Sequence, residues 1–298
     1  LSAVEDFTKR AGKGEWLAQG KYINSDTEFD GGSKVKGYDG DVTGTVGMIE
    51  YGFTDNTSYG AVFGMGDSKM DIDGGGKLDG DNTYAGLYMK HRTQNGIELV
   101  ANLGYVENDM DSVLKNNFKV DGISGVSGNT FEKGTVDSSA VILSVKGKKD
   151  YRITDTVKVQ PILGARATFI NQEKAENPEM HFTIKEQDII VVEGTAGMGI
   201  AKEFALSQGK LELNAGVEYT FAATSSTNDA EYTLFEGTNY QGTHIKMEDV
   251  DTAENTGTAF AGFDYEHESG VGFNGKYEMM WSDKGDDSRV TAGISYRF

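Results

Sequence analysis

The sequence contains no cysteine and only 2 prolines among its 298 residues. The missing cysteines argue against a small secreted scaffold held together by disulfides, and the scarcity of proline argues against collagen-like or disordered low-complexity chains. Positive charge is also scarce, because 28 Lys and Arg face 47 Asp and Glu and leave a net charge of −19. A nucleic-acid backbone needs a basic surface opposite it, so we expect no nucleic-acid partner.

Long apolar runs are missing as well. The longest contain four residues, at 140–143 and 189–192, whereas a transmembrane helix needs about 20. No membrane-spanning helix is therefore predicted. The chain begins at Leu1 without a methionine or a basic and apolar leader, and we expect it to be a fragment or a processed product of a longer protein.

Two features are abundant: glycine, with 40 residues, and the alternation of apolar and polar residues that is typical of β-strands. Segment 210–221 shows this alternation most clearly. One of its faces carries Leu211, Leu213, Ala215, Val217, Tyr219 and Phe221, and the other Lys210, Glu212, Asn214, Gly216, Glu218 and Thr220. A helical period fits only the first dozen residues, so the sequence predicts an all-β chain.

Twelve segments alternate in this way, and short connections between them alternate with long ones. The predicted strands are 15–24, 43–53, 57–67, 82–92, 96–107, 136–149, 155–170, 188–204, 209–223, 256–267, 270–281 and 288–298. The predicted long connections are 25–42, 68–81, 108–135, 171–187 and 224–255. An outer-membrane barrel has short turns at one end and long loops at the other, so this order favours a 12-stranded antiparallel transmembrane β-barrel.

The positions of the outward aromatic residues test this prediction independently. Those expected near the short-turn rim are Trp16, Tyr51, Phe53, Tyr59, Phe263, Tyr265, Phe273, Tyr296 and Phe298, and those near the opposite rim are Tyr105, Phe169, Tyr219, Phe221 and Trp281. Aliphatic residues lie between the two groups. Two aromatic girdles that flank an apolar band are typical of a membrane barrel.

The C-terminus and several internal motifs carry a resemblance to a known family. The last residues alternate apolar side chains up to a terminal aromatic, with Val290, Ile294, Tyr296 and Phe298 on one face. Other motifs are Gly37-Tyr-Asp-Gly-Asp41, Glu50-Tyr-Gly-Phe-Thr-Asp-Asn56, Gly86-Leu-Tyr88 and Gln160-Pro-Ile-Leu-Gly164. Together they resemble the translocator domain of the autotransporters, the type V secretion systems of Gram-negative bacteria, over essentially the whole chain.

This resemblance implies a location, a role and a set of partners. The chain would lie in the outer membrane of a Gram-negative bacterium, where it would secrete, anchor and display a passenger domain that precedes Leu1. Its expected partners are membrane lipid and lipopolysaccharide, its own passenger and the barrel-assembly machinery, which would recognise Val290, Ile294, Tyr296 and Phe298. We expect the barrel to be a monomer.

A short helix is predicted at the N-terminus. Ser2 and Glu5 form a capping-box pattern, Glu5 and Asp6 lie in the first turn, and Lys9 and Arg10 lie in the last turn before Gly12. The resemblance implies that residues 1–14 are a linker that threads the lumen and that residues 15–298 form the barrel. We expect this helix to lie in the lumen, with Glu5, Asp6, Lys9 and Arg10 on its polar side.

The inward positions of the predicted strands carry charges of both signs. Those expected to contact the linker are Glu50, Lys90, Glu98, Arg166, Glu193, Glu218, Lys276 and Glu278, and Lys146, Lys158 and Asp264 share this face. A wall that neutralises its own charges is the simpler interpretation, and specific recognition of the linker is the alternative.

Catalytic signals are weak. His91, His181, His244 and His267 are scattered without metal-ligand or triad spacing. The acidic residues at 71–81 lack the regular calcium-loop pattern, and residues 1–14 contain no asparagine at which the linker could cut itself. We therefore predict no enzymatic activity, no cofactor and no metal.

Two other functions remain open at the level of sequence. A free-standing small porin would share the barrel but would carry a signal peptide directly before it. A soluble β-sandwich adhesin module would share the alternation but not the two girdles.

Overall fold

The computed structural model describes residues 10–30, 37–73, 75–119, 127–173, 175–177, 182–184, 186–226, 230–234, 243–247, 255–282 and 285–298. Within these ranges twelve long strands pair in antiparallel fashion with their neighbours along the chain. They are β1 (Trp16–Phe29), β2 (Tyr38–Gly52), β3 (Thr57–Ile72), β4 (Gly76–Arg92), β5 (Ile97–Lys119), β6 (Ser127–Lys149), β7 (Val157–Gln172), β8 (Gln187–Leu206), β9 (Gly209–Ser226), β10 (Thr256–His267), β11 (Val271–Trp281) and β12 (Gly285–Arg297).

The sheet closes on itself because the last strand pairs with the first. β12 and β1 are in register from Leu17 opposite Arg297 to Phe29 opposite Gly285. The main chains of Trp16 and Phe298 extend this ladder with reciprocal hydrogen bonds of 2.8 and 3.0 Å. Closure removes both sheet edges, so the predicted 12-stranded antiparallel barrel is confirmed.

Five shorter strands accompany the barrel. Tyr151–Arg152 pairs with the start of β7. Ala175–Asn177, Phe182–Ile184, Ala230–Leu234 and Thr243–Met247 form a separate antiparallel sheet within the connections that follow β7 and β9. The part of the chain that the structure describes contains no helix of the length and apolar character needed to cross a membrane.

The outer face of the barrel is apolar and exposed, as the alternation predicts. Exposed large apolar side chains cover β1 to β12, and they include every predicted girdle residue except Tyr265, which is half-buried. The girdle residues with exposed side chains are Trp16, Tyr51, Phe53, Tyr59, Phe263, Phe273, Tyr296 and Phe298 at the tight-turn end and Tyr105, Phe169, Tyr219, Phe221 and Trp281 at the other. A soluble protein rarely exposes so large an apolar surface, whereas lipid would cover it.

Several predicted connections are wrong, because the strands continue beyond the predicted ends. The expected loop at 68–81 is a tight hairpin in which β3 and β4 stay in register up to Ile72 opposite Gly76. The expected loop at 108–135 is largely the paired ends of β5 and β6. Outside the membrane both faces of a hairpin contact water, so the backbone ladder continues without apolar alternation.

Candidate functional site

A buried polar cluster lies in the lumen close to the tight-turn end of the barrel. Its centre is Glu50 on β2, whose side chain is fully buried. Ser58 donates a hydrogen bond of 2.7 Å to Glu50 Oε1. The Lys90 ammonium lies 2.9 Å from Oε2, and the Tyr88 hydroxyl donates to the same oxygen at 3.2 Å. We call these four residues the Glu50 cluster.

A glycine gives Tyr88 the room to reach Glu50. Gly60 on β3 lies between Glu50 and Tyr88 in the strand register. A Cβ at Gly60 would come 2.2 Å from the ring of Tyr88, a distance at which the ring would have to move. The Tyr88 ring therefore lies flat across β3, and β2, β3 and β4 all contribute to one cluster.

The chain before β1 lies against this cluster. The Ala11 N–H donates a hydrogen bond of 2.8 Å to Glu50 Oε1. The Gly14 N–H donates to the Gly52 carbonyl at 2.7 Å, and the guanidinium of Arg10 donates to the Asp55 carbonyl. Residues 10–14, which we call the entry segment, are thus hydrogen-bonded to the C-terminal end of β2 and to the turn that follows it.

The direction of the entry segment follows from its pairing. Lys13 forms a parallel bridge with Gly52, so residues 12–14 run in the same direction as the end of β2, toward the tight-turn end. The chain then reverses at Gly14, whose φ of 78° suits glycine, and enters β1. The described residues before β1 therefore run toward the tight-turn end before the chain joins the wall.

The predicted N-terminal helix falls mostly outside the described residues. Glu5, Asp6 and Lys9 lie there, as does the capping residue Ser2. Arg10 and Ala11 belong to no helix. The prediction that Gly12 ends the helix is wrong in one respect: its φ is not in the left-handed region, and the carboxylate of Glu15 accepts its N–H at 2.9 Å.

The other predicted lumen residues lie in ion pairs along the wall. Lys90 pairs with Glu50, and the further pairs are Arg166 with Glu193 at 3.2 Å, Lys146 with Glu218 at 2.8 Å, Lys276 with Glu278 at 2.8 Å and Lys148 with Glu98 at 3.6 Å. Of the eight residues expected to contact the linker, Glu50 hydrogen-bonds to the entry segment. A role for the other seven in linker contact stays a prediction.

A second cluster, which sequence reasoning missed, lies beside a cavity of 160 Å³ that Arg10, Lys90 and Lys158 help to line. Lys158 contacts three carboxylates, those of Glu212 at 2.8 Å, Glu203 at 2.9 Å and Asp150 at 3.3 Å. The inward face of β7 predicts the orientation of Lys158. Its partners come from β8, β9 and a turn, and no spacing in the sequence brings them together.

Asp150 lies in the turn after β6 and has a perturbed pKa. Burial alone would raise the pKa of its carboxyl group. The hydrogen bond from Gln160, at 2.8 Å, and the positive charges of Lys158 and Lys148 outweigh burial and hold this pKa below its ordinary value. Asp150 is thus charged at neutral pH.

The predicted assembly signal lies on the outer face of β12. Val290, Ile294, Tyr296 and Phe298 are all exposed, and the rings of Tyr296 and Phe298 stack with centroids 5.9 Å apart. These positions would contact lipid in a membrane. Their recognition by assembly factors stays a prediction.

Comparison with known proteins gives the same architecture. No individual curated protein sequence matches the chain. The solved structure of the translocator domain of the autotransporter NalP from Neisseria meningitidis is similar, with a TM-score of 0.72 and 16% identity over 100% of this chain and 93% of that one. The beta domain of the Bordetella autotransporter BrkA is also similar, with a TM-score of 0.69 and 15% identity over 95% of this chain and 99% of that one.

The transport unit of the Escherichia coli autotransporter AIDA-I gives a TM-score of 0.57 with 10% identity, over 98% of this chain and 92% of that one. At these identities the likenesses show the fold alone. The family itself is shown by sequence, because residues 18–278 match the model of the autotransporter beta-domain. The chain belongs to the autotransporter beta-domain family and is an outer-membrane translocator of a Gram-negative bacterium.

Proposed function

We propose that residues 1–14 are the linker through which the passenger stays attached, and that this linker threads the lumen from the extracellular side. Residues 15–298 would then form the translocator domain. The observation that carries this proposal is the direction of the entry segment, which runs toward the periplasmic tight turns beside Gly52 before it reverses into β1. A tail that ran straight from the periplasm into β1 would run in the opposite direction.

The lumen wall supports the same proposal. Its charges are paired with each other, so an occupied lumen does not require the linker to neutralise them. Polar side chains face a polar interior, as is usual for these barrels. A short linker of either charge could therefore lie there, and the predicted Glu5, Asp6, Lys9 and Arg10 would meet a wall that carries both signs.

Membrane lipid and lipopolysaccharide would cover the apolar outer face, the assembly machinery would recognise β12, and the barrel would act as a monomer. The family's role is transport, and we propose that this chain catalyses no reaction. Within the described residues, no three His, Asp or Glu side chains are arranged to hold a metal ion.

Deletion of residues 1–12 tests the threading of the lumen. We expect the single-channel conductance in planar bilayers to rise several-fold, since the pore loses its occupant while the closed ladder of β1 and β12 stays intact. The substitution Gly20→Ala is the control, because a Cβ at this outer-face glycine meets no atom within 4 Å. An unchanged conductance after the deletion would contradict threading and favour a porin-like open channel.

A further inference from the structure

Glu50 has a complete set of hydrogen-bond donors only when the entry segment is in place. A carboxylate offers about four acceptor positions. The wall fills three of them, through Ser58, Tyr88 and Lys90. The fourth accepts the main-chain N–H of Ala11. The cluster is therefore organised by β2, β3 and β4 and leaves one acceptor position for a main-chain donor.

The other contacts of the entry segment with the end of β2 also use its main chain. Gly14 contributes its N–H to the carbonyl of Gly52. The carbonyl of Gly12 lies so close to Gly52 that a Cβ at Gly52 would come 1.7 Å from its oxygen. No residue other than glycine would fit at position 52 without moving the entry segment away from the wall.

The same contacts limit the size of the bound residues. Ala11 is fully buried, so only a small side chain fits there, whereas a Cβ at Gly12 would meet only the flexible end of the Glu15 side chain. Within residues 1–15 a small residue followed by glycine occurs once, at Ala11 and Gly12. The fit therefore requires a main-chain N–H and a small side chain at position 11, and glycine at position 12 leaves the Glu15 side chain undisturbed.

We propose that the Glu50 cluster together with Gly52 is a binding site for the main chain of the linker, and that it fixes the position at which the threaded chain stops. This inference rests on the proposed function, and it adds which residues hold the linker and by what chemistry. The ligand is a peptide segment with the pattern small residue–glycine. Apart from the small size of the first residue, its side chains are not read, so the site holds the linker by backbone geometry and by one charge-assisted hydrogen bond.

The preorganisation of this site explains how it could stop a moving chain. The acceptor is already buried and oriented by three wall donors, so binding requires little reordering. Bulky segments that pass earlier would not fit against Gly52. Within residues 1–15 the Ala11–Gly12 step alone offers both the donor and the space, so the chain would settle there.

The substitution Ala11→Pro tests the hydrogen bond, because proline lacks the N–H. We expect the fraction of time that the channel is open in planar bilayers to rise roughly tenfold, as is typical for loss of a hydrogen bond to a charged group. Ala11→Gly keeps the N–H and is the matched comparison, and we expect it to raise the open fraction much less than Ala11→Pro does. Heat-modifiable migration in a gel checks that each barrel is folded.

A backbone ester at position 11 separates the hydrogen bond from the proline ring. The α-hydroxy analogue of alanine removes the same N–H and keeps the methyl group, and we expect it to open the channel as Ala11→Pro does. Gly52→Ala should open it as well, through displacement of Gly12, whereas Gly20→Ala should not.

The outcomes distinguish this inference from the threading proposal. If deletion of residues 1–12 opens the channel while Ala11→Pro and the ester leave it closed, the linker is threaded but the Glu50 cluster does not hold it. If the proline variant opens the channel and the ester does not, the missing hydrogen bond is not the cause and the inference is wrong. If the deletion itself has no effect, the threading proposal fails.

Discussion

At the scale of single residues, Asp150 predicts how the barrel responds to acid. Its pKa in the folded protein is below the ordinary value, so its ionised form stabilises the fold above the unfolded-state pKa of about 3.9, and this contribution is lost as the pH falls through the folded value. We expect Asp150→Asn to lower the thermal midpoint in micelles at pH 6 and to matter much less near pH 3.

The control for this measurement is Asp155→Asn, which changes an exposed carboxylate in the next turn. Its effect on the midpoint should be small at pH 6, because an exposed charge contributes little. An equal deficit of Asp150→Asn at both pH values would mean that the ionised carboxylate does not stabilise the fold.

Two outward residues of β9 show how depth in the membrane decides the cost of a charge. Leu213 and Val217 share the apolar face, but Leu213 lies opposite Lys202 in the ladder whereas Val217 lies opposite Met198. Lys202 is exposed and lies over the ring of Phe204, as a lysine does near an interface. Val217 is therefore closer to the midplane of the membrane.

We expect Val217→Arg to lower the free energy of unfolding by about 2–4 kcal/mol, and Leu213→Arg by about 1 kcal/mol or less. Refolding into lipid vesicles at increasing urea concentration measures both. Equal costs at the two positions would contradict the assignment of depth.

At the scale of elements, the sequence predicts the strands correctly where one face contacts lipid, but it does not predict their extensions where both faces contact water. The predicted end of the third strand at residue 67 is five residues short of Ile72, because Asp67 to Asp71 alternate without an apolar outer face. There the hairpin is held by its ladder and by pairs such as Lys77 with Asp71 at 2.8 Å. A strand segment that contains such polar pairs cannot be distinguished from a polar loop by its composition alone.

The terminal strand β12 carries a prediction about biogenesis. Replacing Tyr296 and Phe298 together by Ser should reduce barrel assembly in cells much more than refolding in vitro, if assembly factors recognise these side chains by adding a strand at the open edge. The matched control replaces Tyr51 and Phe53 by Ser, which removes two aromatics from the same girdle. We expect the control variant to lose assembly in cells and refolding in vitro to a similar extent. Equal losses for the variant of Tyr296 and Phe298 would mean that these residues contribute to stability alone.

At the scale of the whole molecule, strand closure decides which lumen residues meet. The period of two correctly places Glu50 and Lys90 on the inner face. It does not reveal that Ser58 and Tyr88 complete their site, because this depends on the relative register of β2, β3 and β4 and on the space above Gly60. The partners of Lys158 were missed for the same reason. Orientation is a local property of a strand, whereas contact across the lumen is a property of the closed barrel.

The ion pair between Lys146 and Glu218 connects two strands that are not neighbours in the barrel. Lys146 lies on β6 and Glu218 on β9, with β7 and β8 between them, yet their charged groups are 2.8 Å apart and both side chains are mostly buried. The side chain of Glu218 crosses over Gly197, where a Cβ would come 2.7 Å from its Cγ. Main-chain ladders hold only adjacent strands, so this pair fixes the lumen's cross-section directly.

A double-mutant cycle on Lys146 and Glu218 measures how much this tie contributes. Lys146→Met alone leaves a buried carboxylate without its partner and should cost about 3 kcal/mol, whereas the double replacement by Met should cost much less. The comparison pair is Arg166 and Glu193, which lie on the neighbouring strands β7 and β8. Their side chains are 28% and 22% exposed, whereas those of Lys146 and Glu218 are 17% and 13% exposed. Its coupling should be smaller, because the ladder already holds these strands together. A larger coupling for the neighbouring pair would show that ties across the lumen do not stabilise the barrel beyond its ladders.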